Sequence, residues 1–232
     1  MKFSAARSEL DSMVVQIELT LVSIIQGVAL FFLIDNARVV LSTHDVAFWL
    51  YIPAGLLVIF VFWSRSILHT LTLVRWPLEF GHNFLYVACA LTEALLFTKL
   101  SEPRIWFTLG ALYSAVGWFL FLYDFRLIRA REEDSAGEAS NRLYAKVRSD
   151  QCWNVILLLP AVFFMNLICA LCIRAWPDLF LARNGHVWLI AIQILGFAAY
   201  LFYSVRLYVD LAPFIAHARH EWRGALGEPQ QH

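Results

Sequence analysis

Six apolar runs divide the chain, at about 14–34, 46–64, 77–98, 105–123, 152–173 and 187–205. Each is close to the ~20 residues that a helix needs to cross a ~30 Å hydrocarbon core. The second, fourth, fifth and sixth carry no charge. The first holds Glu18 and Gln26, and the third Glu79, His82, Asn83 and Glu93. The pattern predicts an all-α fold: one polytopic membrane domain, residues 1–232, with six transmembrane helices and a single sizeable loop, 124–151. Arg131 to Gly137 is the expected break in that loop, and 139–150 is expected to form a short helix at the headgroups. The polar start of the chain and the lack of a clear small-residue cleavage site make the first run a retained helix, not a signal peptide.

Composition agrees. Of 232 residues 60% are hydrophobic and 16% charged, with a mean hydropathy of +0.64, against roughly 45–50% and 25% for a soluble domain. Lys and Arg balance Asp and Glu at 18 each. This excludes a basic nucleic-acid binder, a disordered tail and a secreted disulfide scaffold. The four cysteines lie in or beside apolar runs. Cys169 and Cys172 form a C-x-x-C with no second pair or histidine at ligand spacing, so they are read as small packing residues.

Charge fixes an expected orientation. Thirteen of the 18 basic residues fall in the amino-terminal tail, loop 2–3, loop 4–5 and the carboxyl tail. Only Arg38, Lys99, Arg104, Arg174 and Arg183 fall on the other side. Cytoplasmic loops carry the excess of Lys and Arg, so both termini are expected to be cytoplasmic in a cell membrane. Trp49, Trp63, Trp76, Trp106, Trp153, Trp176 and Trp188 lie near predicted span ends, where amphipathic rings favour the interface.

An ionisable group at mid-bilayer costs about 2.5–3.5 kcal/mol on insertion scales, so the polar residues inside spans carry most of the information. On span three Glu79, His82, Asn83, Tyr86, Ala90 and Glu93 share an arc of about 100° at the helical step. This stripe is either a hydrogen-bonded seam between packed helices or an ion path, and Glu79 and His82, one turn apart, are candidates to share a proton. On span one Thr20, Ser23, Gln26 and Gly27 share a side with Leu30 and Ile34. Ser23-x-x-x-Gly27 is a small-residue pair that admits another backbone. As a path-lining helix, span one would be polar at Gln26 and closed by an apolar constriction at Leu30, Phe31 and Ile34. Gly110, Ser114 and Gly117 on span four mark close packing. Gln193, Asn154 and Asn166 are expected interhelical hydrogen-bond partners. Gly196, Tyr200, Tyr203, Leu207 and Asp210 form an expected buried seam on span six.

Nucleotide, zinc-protease, serine-hydrolase and potassium-filter motifs are absent. Glu79, His82 and His69 come closest to a hydrolase cluster, and no nucleophile accompanies them. An enzyme is therefore not expected, nor a cofactor or a metal.

Spans one to four resemble the endolysosomal potassium channel family and its six-helix bacterial relatives. That family opens on an Arg followed by Phe-Ser-Asp-Gly. Here Ile24-Ile25-Gln26-Gly27 keeps the Gly, with Gln26 in place of the Asp. Phe62-Trp63 matches the end of the family's second helix, with Ser66 in place of its His. Asn83 matches the third helix and Leu112-Tyr113 the fourth. The resemblance implies six helices with both ends inside, assembled as a tetramer around helix one, and a potassium path narrowing at Leu30, Phe31 or Ile34.

The expected function is passive movement of a small cation by a homo-oligomer in the lipid bilayer. Gln26, Leu30, Phe31 and Ile34 are the pore-lining or gate candidates, and Glu18, Glu79, His82, Asn83 and Glu93 the intramembrane polar candidates. The alternative is a non-conducting sensor or partner protein acting through loop 124–151 and the carboxyl tail.

Overall fold

The computed structural model describes residues 2–72, 80–133 and 137–225, and within them the side chains of 10, 12–72, 80–133, 137–218 and 221. Every regular element among them is helical: α1 (Lys2–Thr43), the single turn α2 (Val46–Trp49), α3 (Tyr51–Thr72), α4 (Phe80–Phe97), α5 (Pro103–Glu133), α6 (Glu138–Trp153), α7 (Leu159–Ala175) and α8 (His186–Ala225). A wide π-type turn, Asn154–Leu158, joins α6 to α7. Pro160 just beyond it has no N–H to donate, which is a sufficient cause for the local loss of the regular ladder. A second wide turn, Asp178–Ala182, precedes α8. The connection after it passes through Asn184 at φ 54, a left-handed conformation that asparagine tolerates.

Six helical stretches are long and apolar enough to cross a membrane: Ser12–Thr43, Val46–Thr72, Phe80–Phe97, Pro103–Glu133, Glu138–Ala175 and His186–Ala218. They match the six predicted runs but are mostly longer. At 1.5 Å per residue α1 is about 63 Å long, twice the hydrocarbon core, so its ends pass beyond it or it tilts strongly.

The greatest departure from the sequence reading is at 124–151. There is no long loop. α5 continues to Glu133 and α6 begins at Glu138, with Gly137 as its N-cap residue. The Arg, Glu and Leu residues that made this segment look like a loop are good helix formers, and hydropathy registers only where a helix leaves the lipid. Arg131 to Glu133, expected in the break, are helical, while 134–136 lie outside the described residues, as do Trp76 and Glu79.

Helix α5 packs on α7 and α4, and α3 lies between α8 and α1. Three buried clusters run along the bundle. At one end Val40, Tyr51, Phe97, Leu100, Trp106, Ile173 and Ile190 come together. Val22, Phe62, Tyr86, Cys89 and Leu120 occupy the middle. Leu68, Ile128, Leu143, Tyr144, Leu211 and Ile215 fill the other end. Trp106 is a correction to the interface reading: it is fully buried, and its Nε1 donates to Gln193 Oε1 at 2.9 Å.

Past this last cluster α8 is tied to the start of α6. The Glu221 carboxylate accepts the N–H groups of Ala139 at 2.9 Å and Ser140 at 3.0 Å, and the Ser140 hydroxyl at 3.1 Å. A helix start has unpaired N–H groups, and a carboxylate satisfies them in charge as well as in geometry. The N–H groups of Ala139 and Ser140, in that order, hold this carboxyl below the usual glutamate range, with smaller help from the Ser140 hydroxyl and the nearby His217.

Candidate functional site

The polar stripe of span three faces inward. His82, Tyr86, Ala90 and Glu93 are buried and Asn83 is half-buried, while Phe80, Phe84, Val87, Leu91 and Leu95 on the opposite faces are exposed to what would be lipid. Helical spacing alone accounts for this, because every inward residue lies three or four positions from the next. The inward groups divide between two places in the bundle.

The first lies where α3, α4 and α5 meet. His82 Nδ1 is 2.8 Å from Asp124 Oδ1, and His69 Nδ1 is 3.3 Å from Asp124 Oδ2. The two imidazole rings stack nearly parallel, with centroids 4.1 Å apart and planes 6° apart. One carboxylate thus receives two histidines from two different helices. Two positive charges at the spacing of this stack would repel by about 4 kcal/mol at an effective dielectric constant of about 20, so the geometry opposes two imidazolium ions side by side. His82 is paired with Asp124 among the described residues. The expected partner Glu79 lies outside them.

The same cavity, about 50 Å³, is bordered by Glu18, Arg65, Ser66, Tyr86 and Asp150. That volume holds a few waters or one ion. Arg65 Nη2 meets Asp150 Oδ2 at 2.5 Å, and Tyr203 donates its hydroxyl to Asp150 Oδ1 at 2.8 Å. The guanidinium also lies over the Phe121 and Tyr200 rings, 5.4 and 5.9 Å from their centroids. Its Nη1 has no hydrogen-bond partner, and Glu18, buried on α1, has no ion-pair partner among the described residues. With neutral imidazoles the described residues of this lining carry three carboxylates against one guanidinium, an excess of two negative charges. His69, His82 and Asp124 offer three donor atoms within 4.8 Å of one another.

The second place is between α1 and α4. Gln26 Nε2 donates to Glu93 Oε2 at a long 3.3 Å, and both side chains are buried. Glu93 Oε1 and Gln26 Oε1 accept no hydrogen bond among the described residues. Sequence reasoning selected both residues, and the fold brings them together. It does not bring the apolar gate candidates to them. Leu30, Phe31 and Ile34 turn outward, Phe31 65% exposed and Ile34 60%, because 26, 29, 33, 37 and 40 form the inward face of α1. The apolar side chains that do close the bundle on the far side of Glu93 are Leu33, Leu96 and Phe97, with Leu33 and Phe97 meeting over Gly55.

Span five and span six are linked as their amides predict. Gln193 Nε2 donates to Asn166 Oδ1 at 2.9 Å, and Tyr200 donates to Asn154 Oδ1 at 2.6 Å. Gly196, Tyr203 and Asp210, expected within a buried seam, are exposed, and Tyr200 and Leu207 are half-buried. Gly110 packs closely against Asn166, whereas Gly117 and Gly196 border an apolar cavity of about 170 Å³ and Gly27 faces open space. The Ser23–Gly27 pair therefore makes no close helix contact among the described residues.

Sequence reasoning passed over Arg65, Asp124 and Asp150 as site residues. All three fell just outside a predicted span, where a charge is ordinary. The available signal was periodicity: Phe62, Arg65, Ser66 and His69 continue the inward face of α3 by one turn, and Leu120, Asp124 and Ile128 that of α5. No family model, no curated protein and no solved structure matches this chain.

Proposed function

We propose that this protein passes a small cation across the cell membrane through the interior of its own bundle, past Gln26 and Glu93. The observation that carries the reading is the incomplete coordination of Glu93, a fully buried carboxylate with one long hydrogen bond, an orphan oxygen, and the orphan amide oxygen of Gln26 on the residue that bonds it. Buried polar atoms in folded proteins are nearly always satisfied, and an exception calls for an ion, a water or a function. Small hard cations take oxygen donors of this kind. Toward one end, Tyr86 and Ser66 continue the seam to the cavity bordered by Glu18. Toward the other, Leu33, Leu96 and Phe97 form an apolar closure that would gate by dewetting.

Within this reading both termini are cytoplasmic, in keeping with the basic residues of the tails and of α5 and α6. The exposed apolar face of α1, including Leu30, Phe31 and Ile34, is turned to lipid or to further copies of the chain instead of to the path.

The test is flux of potassium and of protons into liposomes holding the purified protein, read with ion-sensitive dyes. The parent is expected to conduct above protein-free liposomes. Glu93→Gln should lower flux by about tenfold or more, the rate equivalent of about 1.4 kcal/mol. Phe97→Ala should raise it, and Phe31→Ala should leave it unchanged. Folded, monodisperse protein that is silent in both parent and Phe97→Ala overturns the proposal and leaves the non-conducting partner protein as the reading. A Glu93→Gln variant that conducts like its parent overturns the route.

A further inference from the structure

We propose that His69, His82 and Asp124 form a binding site for a late first-row divalent metal ion of the zinc class, with Glu18 as a fourth donor reached across the shared cavity. This goes beyond cation permeation at Glu93 and does not depend on it. The two sites share α1, α4 and the cavity bordered by Glu18, but their donor atoms are different ones.

Three observations converge. The donor set is two imidazoles and one carboxylate, the chemistry preferred by zinc and its neighbours over calcium or magnesium. The donor atoms already lie within 4.8 Å of one another, and both Nδ1 atoms approach the same carboxylate, at 2.8 and 3.3 Å. Bonds of ~2.0–2.2 Å to a tetrahedral ion put ligand atoms ~3.3 Å apart, so small side-chain movements suffice to close around it. Charge is the third. The excess of two negative charges in the cavity lining matches one dication, which sits among the ligands with no second positive group stacked at 4.1 Å.

The linear sequence groups His69 with His82 but not with Asp124, which looks like the first residue of a loop. The ligands come one each from α3, α4 and α5, with Glu18 from α1.

The experiment is titration of purified, tag-free protein in detergent with Zn²⁺ by calorimetry, and with Co²⁺ by absorption spectroscopy. The parent should bind one equivalent per chain, with weak visible bands of nitrogen and oxygen ligation and no sulfur charge-transfer band. His69→Ala and Asp124→Asn should each weaken binding by more than about 100-fold, beyond the ~10–100-fold typical of losing an outer partner. Glu18→Gln should weaken it by about 10-fold. The alanine and asparagine variants can fail to fold, so His82→Cys is the second arm: it should still bind Co²⁺ and gain a sulfur charge-transfer band. Absence of stoichiometric binding in the parent overturns the proposal. So does binding that survives Asp124→Asn in folded protein, or a sulfur band in the parent that disappears with Cys169→Ser, which would put the metal at the C-x-x-C. Ion flux through the bundle is read separately, so failure of metal binding leaves the permeation reading standing.

Discussion

Buried acids occur at two levels of this bundle, and their surroundings differ. Where α3, α5 and α6 meet, Asp124 and Asp150 are saturated. Two histidines engage the oxygens of the first, and an arginine and a tyrosine those of the second. Further along, Glu93 is as deeply buried but has one long bond from Gln26 and an oxygen with no partner. A saturated ion pair is what a fold needs in order to bury charge at all, since an uncompensated ion in a low-dielectric interior costs several kcal/mol. An unsaturated carboxylate is not needed for folding and is a liability to it. The contrast therefore separates the Arg65–Asp150 pair, which holds the structure together, from a carboxylate that the structure holds in place for something else.

The comparison can be broken most directly at Asp150. Asp150→Ala leaves the Arg65 guanidinium buried without its counterion, and a loss of about 3–5 kcal/mol is expected. Glu93→Gln exchanges one acceptor for another beside Gln26 and should change stability by about 1 kcal/mol or less. Both are measured as the shift in unfolding free energy on titrating mixed micelles with a denaturing detergent, followed by far-ultraviolet dichroism. If Glu93→Gln costs as much as Asp150→Ala, Glu93 is structural and the distinction fails.

The same contrast recurs on a smaller scale among the glycines of α5. A Cβ on Gly110 would lie 2.5 Å from Asn166 Oδ1, in the middle of the completed chain Trp106–Gln193–Asn166. Gly110→Ala should cost about 1–3 kcal/mol through forced repacking. A Cβ on Gly117 meets nothing within 4 Å. Gly117→Ala should therefore fall within about 0.5 kcal/mol of the parent, or stabilise it by removing a helix-interior glycine. Equal losses in the same micelle titration would mean that the apolar cavity beside Gly117 is not open in the folded protein.

What the sequence disclosed follows the same physical division. The six spans and the inward stripe of α4 were legible because hydropathy and a period of 3.6 are local properties. The pairing of Gln26 with Glu93 was legible only as two polar residues on two inward faces; that they touch is a matter of how α1 crosses α4. The Asp124 and Asp150 centres were hidden, because charge at a span end is the usual sign of a helix leaving lipid. Here α3, α5 and α6 continue as helices, so their last inward-facing turns bury charge against one another. The outward turn of Phe31 was hidden for a related reason. Which face of α1 the rest of the chain covers is set by how the helices cross, and Ala29, Leu33 and Ala37 define that face.

The smallest expected effect tests whether saturation alone, outside the membrane, stabilises a contact. Glu221 resembles Asp124 in having both oxygens engaged, by Ala139 and Ser140 at the start of α6. It lies beyond the last span, where water competes for the same hydrogen bonds. Its carboxyl is held below the ordinary glutamate value of about 4.3. A folded-state value below the unfolded one means that the contribution is complete above about pH 4.3 and is lost as the pH falls through the folded value. Spin labels at the exposed positions of Arg142 and His217, in a cysteine-free background, report the tie between α6 and α8. Their distance distribution should be narrow at neutral pH and broaden only in acid below the ordinary glutamate range. Glu221→Gln should show the broad distribution already at neutral pH. A distribution that stays narrow in acid and in the variant would mean that the apolar contacts of Leu143 and Tyr144 with Leu211 and Ile215 hold the two helices unaided. Hydrogen-bond saturation would then matter in this protein only where lipid excludes the water that could replace it.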